Sequence, residues 1–578
     1  LFRDIGISYS LRIAHEEVCA TFVCELSFAI VLKRKNFGQN ARTTKLDGCS
    51  GENYRQFFFK RKTSAVNAFH AGMIFKHERP IASDTFPYSI QNEIMNARFQ
   101  IRSLKFAAII LLLVSLFQIG VSRGAQSQKF NVILILADDY GWTDLSCYGS
   151  KFYETPNIDK LARDGMKFTQ AYAACCVCSP TRAAIMTGKY PARLHVTDWI
   201  PGQMPENPKV LVPDWTKHLP LEEISIGRAF HNAGYATASI GKWHLGGEEY
   251  FPDKQGFDIN IAGTEAPNPK TYFSPYHIAT LKDGPDGEYL TDRLGAEAEK
   301  FIEANKSKPF FLYFPHFAVH LPLQGKKEIV AKYEKKIQSG MAQTNAIYAA
   351  MIESMDDTVG RIRRKLDELK IADNTIVMFA SDNGGRVPTT SNLPLRVGKG
   401  SCYEGGTRVP LIIYWPHVTK PGSVCDTPVI SMDFYPTLLE MVGEKKAGEK
   451  GVDGLSLVPL LHGKNKLKRD EIFWHYPHYQ HYQLGGTTPY GAIRKGDFKL
   501  VEFFDDMRVE LYNLENDIGE QNNLAGKMPK KVEELRARLH EWRKEVGAQM
   551  PTKNPNYDPT KPEHELRSRK KSKKRSAT

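Results

Sequence analysis

Four apolar runs, each closed by polar residues, constrain the fold of this chain more than any other feature. "FNVILILADDYG" leads to Asp138 and Asp139, "ATASIGKWHLGG" to Lys242 and His244, "PFFLYFPHFAVHLPL" to His316 and His320, and "NTIVMFASDNGG" to Asp382 and Asn383. A strand buried on both faces reads as a continuous apolar run, and such strands occur in parallel sheets covered by helices. Amphipathic stretches with helical spacing lie between the runs, among them "NIDKLARDGMKF", "IGRAFHNAG", "YAAMIESMDDTVGRIRRKLDELK" and "YPTLLEMVG", several of them closed by a glycine. The alternation from Lys129 to about Gly463 predicts an α/β fold with a large, mostly parallel sheet flanked by helices. Open α/β sheets hold their ligands beyond the carboxyl ends of the strands. The four runs thus deliver polar groups to one edge of one sheet.

The texture changes from about Arg469. "YGAIRKGDFKLVEFF" and "VELYNLEND" read as short antiparallel strands, and "KKVEELRARLHEWRKEVG" as a helix after them. A chain of 578 residues is too long for one ordinary core. We therefore expect a large α/β domain over residues 125–465, a smaller C-terminal α+β subdomain with a short antiparallel sheet over 466–555, and a tail over 556–578 too poor in apolar residues to order.

At the other end, Met95 is followed by Arg98, Arg102 and Lys105, by the apolar run Phe106–Val121, and by Ser122, Gly124 and Ala125. This is the layout of a signal peptide, residues 95–124, and it predicts export to the periplasm, the cell surface or the medium. Gln118 and Gly120 break the run, which falls short of the ~20 residues of a stable membrane span. Residues 1–94 show no sustained periodicity and read as an extension upstream of the true start.

The formal charge of +13 resides in the ends, since residues 125–560 carry 53 basic and 54 acidic side chains. A balanced body without a basic, aromatic-interleaved stripe argues against nucleic acid as a partner. Six cysteines lie in the exported part: Cys147, Cys175, Cys176, Cys178, Cys402 and Cys425. Export permits disulfides, but six in this length make no dense scaffold, and their pairing is open.

Asp138, Asp139, Asp382 and Asn383, gathered at one sheet edge, would repel one another without a cation. All-oxygen donors suit a hard ion, calcium before magnesium. Taken singly, "DDYG" and "SDNGG" are also ordinary turn signals; two such pairs, each ending an apolar strand, favour the metal. In "CCVCSPTRAAIMTGKYPAR", Pro180 suits the first turn of a helix with Ser179 or Cys178 at its cap. The N–H groups and dipole of that helix end favour an anion, and Arg182, one turn on from Cys178, adds a fixed charge. Zinc lacks the usual ligand spacing here. A structural thiol or disulfide suits Cys175 and Cys176, and a plain thiolate nucleophile at Cys178 is chemically open.

Cys178-Ser179-Pro180-Thr181-Arg182, followed by Thr187-Gly188, resembles the signature of the type I, formylglycine-dependent sulfatases of the arylsulfatase A kind. "DDYG", "GKWHLG", "H-x-P", "SDNGG" and "GKGSCYEGGTRVP" accompany it in that family's order. The resemblance implies an alkaline-phosphatase-like fold whose small C-terminal domain closes one side of the cleft. It implies calcium held by Asp138, Asp139, Asp382 and Asn383. Cys178 would be oxidised to formylglycine (3-oxoalanine) by a formylglycine-generating or sulfatase-maturating enzyme, and would supply a further ligand oxygen. Arg182 would orient the aldehyde hydrate, and Lys242, Lys399 and His320 would contact the sulfate. The implied reaction is covalent: a hydrate hydroxyl attacks sulfur, His320 with Lys399 protonates the departing alcohol, and His244 takes the proton of the second hydroxyl as sulfate leaves. His316 lies outside the pattern and is expected to have a packing or loop role.

The stretch "WHYPHYQHYQLGG", residues 474–486, mixes rings and hydrogen-bonding groups as a sugar site does, although aromatics also join domains. The expected substrate is a sulfated carbohydrate before an aryl sulfate. The rivals are a phosphate or phosphonate monoester hydrolase of the same superfamily and a carbohydrate-binding pseudoenzyme with unmodified Cys178.

Overall fold

The computed structural model describes residues 129–444, 451–480 and 487–561, with Met95, 99–100 and 102–110 toward the N-terminus. The expectations for 1–94, for most of 95–124 and for the chain after Lys561 fall outside the described residues. Two compact units divide the chain at Gly120, and the second holds the sheets.

Among the described residues, ten strands precede the change of texture: β1 (Asn131–Ala137), β2 (Met166–Tyr172), β3 (Val210–Leu211), β4 (Ala236–Ile240), β5 (Ile259–Ile261), β6 (Phe310–Pro315), β7 (Thr375–Ser381), β8 (Arg408–Tyr414), β9 (Ser423–Cys425) and β10 (Val429–Ile430). All but β3 join one sheet in the order β10-β2-β8-β7-β1-β6-β4-β5, with β9 beside β2. Only β8 runs against its neighbours β7 and β2; β1 is parallel to both β6 and β7. The sheet is mixed and mostly parallel, as the runs predict.

Burial explains why these runs do not alternate. On β1, Ile133 and Ile135 join a core with α4 (Leu290–Ala304) and α5 (Ala346–Glu368), whereas Val132, Leu134 and Leu136 face a second core with α2 (Cys178–Thr187), α3 (Ile226–Asn232) and α6 (Phe434–Met441). The "NIDKLARDGMKF" stretch supplies α1 (Pro156–Asp164), whose Ile158 and Leu161 join the first core. Local signals set the helix starts: Ser225 and Asn345 accept backbone N–H groups from the first turns of α3 and α5.

Beyond Arg469, β11 (Glu471–Tyr476), β12 (Tyr490–Lys495), β13 (Phe498–Phe503) and β14 (Val509–Asn513) form an antiparallel sheet in sequence order, followed by α7 (Pro529–Glu545). Ile472, Ile493, Leu535 and Trp542 of this subdomain share one apolar cluster with Tyr172, Cys176 and Cys402 of the large sheet's side. The last strand, β15 (Thr552–Lys553), returns to pair with β3. The packed chain then runs past the tail boundary expected at 556, to Lys561. Asn207 Nδ2 donates to the carbonyls of Asp558 and Lys561, at 2.7 and 3.1 Å, and its Oδ1 accepts the Asp558 N–H. Hydrogen bonds rather than apolar burial hold this segment, which is why composition alone places the boundary too early. Among the described residues no helix is long and apolar enough to cross a membrane.

Candidate active site

The carboxyl ends of β1 and β7 lie side by side, with Ala137 opposite Ser381. Asp138 and Asp139 therefore emerge next to Asp382 and Asn383. Asp139 sits in the left-handed region, φ 59°, a conformation unfavourable for a non-glycine residue. It is fixed from both sides: its N–H donates to Asp382 Oδ1 at 3.2 Å, and its carbonyl accepts the Tyr348 hydroxyl at 3.1 Å from α5. Beyond β4 the chain turns at Gly241, where a Cβ would lie 1.8 Å from the Pro315 carbonyl oxygen. Only glycine lets Lys242 and His244 pass so close to the end of β6.

The polar inventory of the site points to a missing charge. Lys242 Nζ takes Asp138 Oδ2 and Lys399 Nζ takes Asp139 Oδ1, both at 2.6 Å. Arg182 takes Asp382 Oδ2 with Nε at 2.9 Å and Nη2 at 2.8 Å. Asn383 Nδ2 donates to Asp139 Oδ1 at 2.9 Å. What is left over is Asp138 Oδ1, Asp139 Oδ2 and Asn383 Oδ1, three buried oxygens that accept no hydrogen bond. Buried acceptors without donors are rare and costly, and three on neighbouring residues of one sheet edge fit a hard cation. Ligating atoms of Asp138, Asp139 and His320 also fall within 4.8 Å of one another, with His320 Nε2 3.5 Å from Asp139 Oδ2. Burial raises the Asp139 carboxyl, but Lys399, His320 and Lys242 outweigh it and hold the group well below the usual carboxylate range. Burial and then Asp138 push Asp382 up to about 6. Three carboxylates face three cationic side chains, so a divalent ion would give the cavity a positive surplus suited to an anionic substrate.

Cys178 opens α2, one residue earlier than a Cys178 cap and two earlier than a Ser179 cap would have it, because extended Val177 takes the cap position. Thr181 determines this: its hydroxyl accepts the Cys175 N–H at 3.0 Å and donates to the Cys175 carbonyl at 3.1 Å, tying the preceding loop to the first turn. Pro180 still falls in that turn, and every residue of α2 is buried. Cys178 Sγ lies 3.3 Å from His244 Nδ1, and His244 Nε2 lies 2.5 Å from the Ile200 carbonyl oxygen. A carbonyl only accepts, so Nε2 carries the proton and Nδ1 presents a lone pair to Cys178. Burial, then Lys242, holds His244 well below the ordinary histidine value, which keeps that lone pair free. Burial also pushes the Cys178 thiol up, against the pull of Lys242 and Lys399. An unmodified thiol there is poorly poised to become a thiolate.

Lys399 and His320 complete the cavity. His320 is lowered to about 3 by burial and then Lys399. Its side chain, 13% exposed, is more open than those of Lys242 and Lys399, at 0% and 2%, so it faces the mouth. His316 is fully buried, against the ring of Phe314 with centroids 4.3 Å apart, and packs as expected. Cys175 and Cys176 are buried free thiols within the apolar cluster that joins the two sheets; the structure realises the structural-thiol alternative, not a disulfide. Through Gln480 the aromatic stretch is buried as well, with Trp474 Nε1 on the Ala173 carbonyl and the Tyr476 hydroxyl on Asp198. It joins the subdomain to the large sheet and offers no open sugar face; residues 481–486 are outside the described residues.

Sequence reasoning missed a buried ion cluster beneath the Lys399 loop. Lys499 Nζ lies 3.0 Å from both Glu404 Oε1 and Glu520 Oε1, and Glu520 Oε2 accepts the Glu404 N–H at 2.6 Å. The acid in "YEGGTR" was the available signal.

Residues 130–444, more than half of the chain, match the family model described as Sulfatase. The chain belongs to the sulfatase family. Residues 397–548 of this sulfatase match a second model, N-sulphoglucosamine sulphohydrolase, C-terminal. A sulfatase of Formosa agariphila is 36% identical over 506 residues, covering 74% of this chain and 90% of that protein. Human arylsulfatase A is 31% identical over 453 residues, covering 68% of this chain and 83% of that one. The crystal structure of Ps i-CgsB in complex with k-i-k-neocarrahexaose superposes with a TM-score of 0.61 at 30% identity, covering 75% of this chain and 96% of that chain. The fold is alkaline-phosphatase-like, and the protein is an enzyme that hydrolyses sulfate esters.

Proposed function

We propose that this sulfatase is an exported enzyme that removes sulfate from a sulfated carbohydrate, with Cys178 converted to formylglycine and calcium at the β1–β7 edge. The observation that carries the reading is the set of three unsatisfied buried oxygens, on Asp138, Asp139 and Asn383, beside a thiol at the head of a buried helix. The sugar class is supported by a relative whose ligand is, by its name, a hexasaccharide.

Asp138, Asp139, Asp382 and Asn383 would hold the calcium, together with an oxygen at the Cys178 position; the bound ion supplies positive charge that stabilises an anionic nucleophile and draws in the sulfate. A formylglycine hydrate at the Cys178 position would supply the nucleophilic hydroxyl and the second hydroxyl from which sulfate is later released. The side chains do the rest. Arg182 holds Asp382 in place and sends Nη1 to the Lys242 carbonyl at 2.8 Å, bracing the metal edge against the β4 turn. Lys242 and Lys399 offer ammonium groups to the sulfuryl oxygens, neutralising charge as the ester bond breaks. His244 Nδ1, already within 3.3 Å of Cys178 Sγ, can take a proton from the group that replaces the thiol. His320 faces the mouth, where an alcohol would leave; burial keeps it neutral in the free site, so Lys399 beside it would supply the proton that it passes on.

Peptide mass spectrometry of the Cys178 segment from the native host tests this directly: the mass change for replacing CH2–SH by CHO is expected. An unconverted thiol in fully active protein would overturn the reading. Matched sulfate and phosphate esters of one alcohol then separate it from the phosphoryl rival, with kcat/KM higher for the sulfate.

A further inference from the structure

A second groove, edged by lysines, lies beside β9 of the large sheet. A groove of about 1120 Å3 runs between β9 and the start of β11, floored by Met166, Leu461, Leu467 and Ile472 and edged by Lys420, Lys464, Lys466 and Lys468. These four lysines are exposed and form no ion pair with the described residues. The other charges around them are largely spent. Arg469 makes two bonds to Asp433, at 2.7 and 2.6 Å, and Arg494 is held by Gln170 and Tyr172. Glu471 is shared by Lys495 and Arg538, whereas Asp426 accepts the neutral Thr169 hydroxyl and forms no ion pair with the described residues. Asp470 is the other acid on the rim. Lys464, Lys466 and Lys468 alternate with Asn465 and Leu467 on the way into β11, and Leu467 packs inward against the core.

The groove is separate from the catalytic cavity. Met166 begins β2, whereas Cys178 follows its other end, and seven strand residues span ~20 Å. A row of unpaired ammonium groups over an apolar floor complements a chain that carries anionic groups on apolar-faced rings. We infer that this groove holds a segment of the sulfated polysaccharide away from the reacting ester, keeping the enzyme on the polymer. The inference rests on the carbohydrate reading above.

The test uses the full exported chain and its Lys464→Ala/Lys466→Ala/Lys468→Ala variant, with retention on immobilised dextran sulfate and on unsulfated dextran. Three exposed ionic contacts predict about a tenfold weaker affinity for dextran sulfate in the variant, a flatter salt dependence, and unchanged hydrolysis of a small aryl sulfate. Lys420→Ala, on the opposite wall, should weaken retention further. Equal retention of wild type and triple variant on dextran sulfate would overturn the inference, as would tighter binding of the wild type to duplex DNA or to anionic vesicles than to dextran sulfate. Should the wild type cleave no sulfated polymer yet show the retention difference, the substrate assignment falls and the groove stands.

Discussion

At the scale of single residues, the site is defined by atoms that lack partners. Asp139 shows this most clearly: one oxygen is shared by Lys399 and Asn383, and the other has no donor. Asp139→Asn should therefore weaken calcium binding rather than the fold, because the amide keeps the shape and loses the charge. Calorimetry on the metal-stripped protein should show lower affinity in the variant. In the wild type, free calcium at a hundredfold excess over its dissociation constant should stabilise the fold by about 2.7 kcal/mol; a thermal midpoint indifferent to calcium would contradict the assignment. Cys178→Ala deletes the precursor of the proposed nucleophile and should lower kcat by about 10,000-fold or more, with a melting temperature near that of the wild type since alanine suits a buried helix start. His244→Gln keeps a hydrogen-bonding group beside Ile200 but no base, and a fall in kcat of about 100- to 10,000-fold is expected.

At the scale of elements, the Lys399 loop owes its position to the subdomain beneath it. Glu404 is held to about 2 by Lys499 and Arg408 despite its burial, while burial pushes Glu520 up to about 7. Lys499→Met leaves two buried acids facing each other, and breaking such a cluster costs about 3–5 kcal/mol. The variant should melt earlier and show a raised KM, because the loop that carries Lys399 loses its support. Adding Glu520→Gln should recover part of the melting temperature. This cluster also marks where sequence reading ends. The strand ends were legible because an apolar run and its polar terminus are neighbours in the chain. Glu404 meets Lys499 across 95 positions and Glu520 across 116, and no local pattern records such a meeting. The aromatic stretch misled for a related reason: rings alternating with hydrogen-bonding groups look the same in a wet cleft and in a dry junction, and only the pairing of β11 decides between them.

At the scale of the whole molecule, the two sheets are joined by a buried polar cluster as well as by apolar packing, and this gives the fold a pH dependence. Asp198 is buried between them. Its Oδ1 accepts the Tyr476 hydroxyl at 2.6 Å, the Trp199 N–H at 2.8 Å and Gln480 Nε2 at 3.3 Å, and its Oδ2 lies 3.9 Å from His478 Nδ1. Burial outweighs these donors and pushes the carboxyl up to about 7, while His478 is lowered to about 3, also by burial. A carboxyl whose folded value lies above its unfolded one binds its proton more tightly in the native state. Its contribution to stability is therefore complete below about pH 4 and is lost as pH rises through about 7. His478 works with the opposite sign, since a histidine kept neutral in the fold costs stability as pH falls below about 6.5. The two effects separate above pH 6.5, where of this pair Asp198 alone still titrates. Asp198→Asn removes the ionisation and keeps an oxygen for Tyr476 and Gln480. Thermal unfolding of the wild type and of this variant should diverge between pH 6.5 and 8, the wild type losing stability by a few degrees relative to the variant. Parallel curves across that range would mean that the carboxylate is already charged in the junction, and that another donor compensates it.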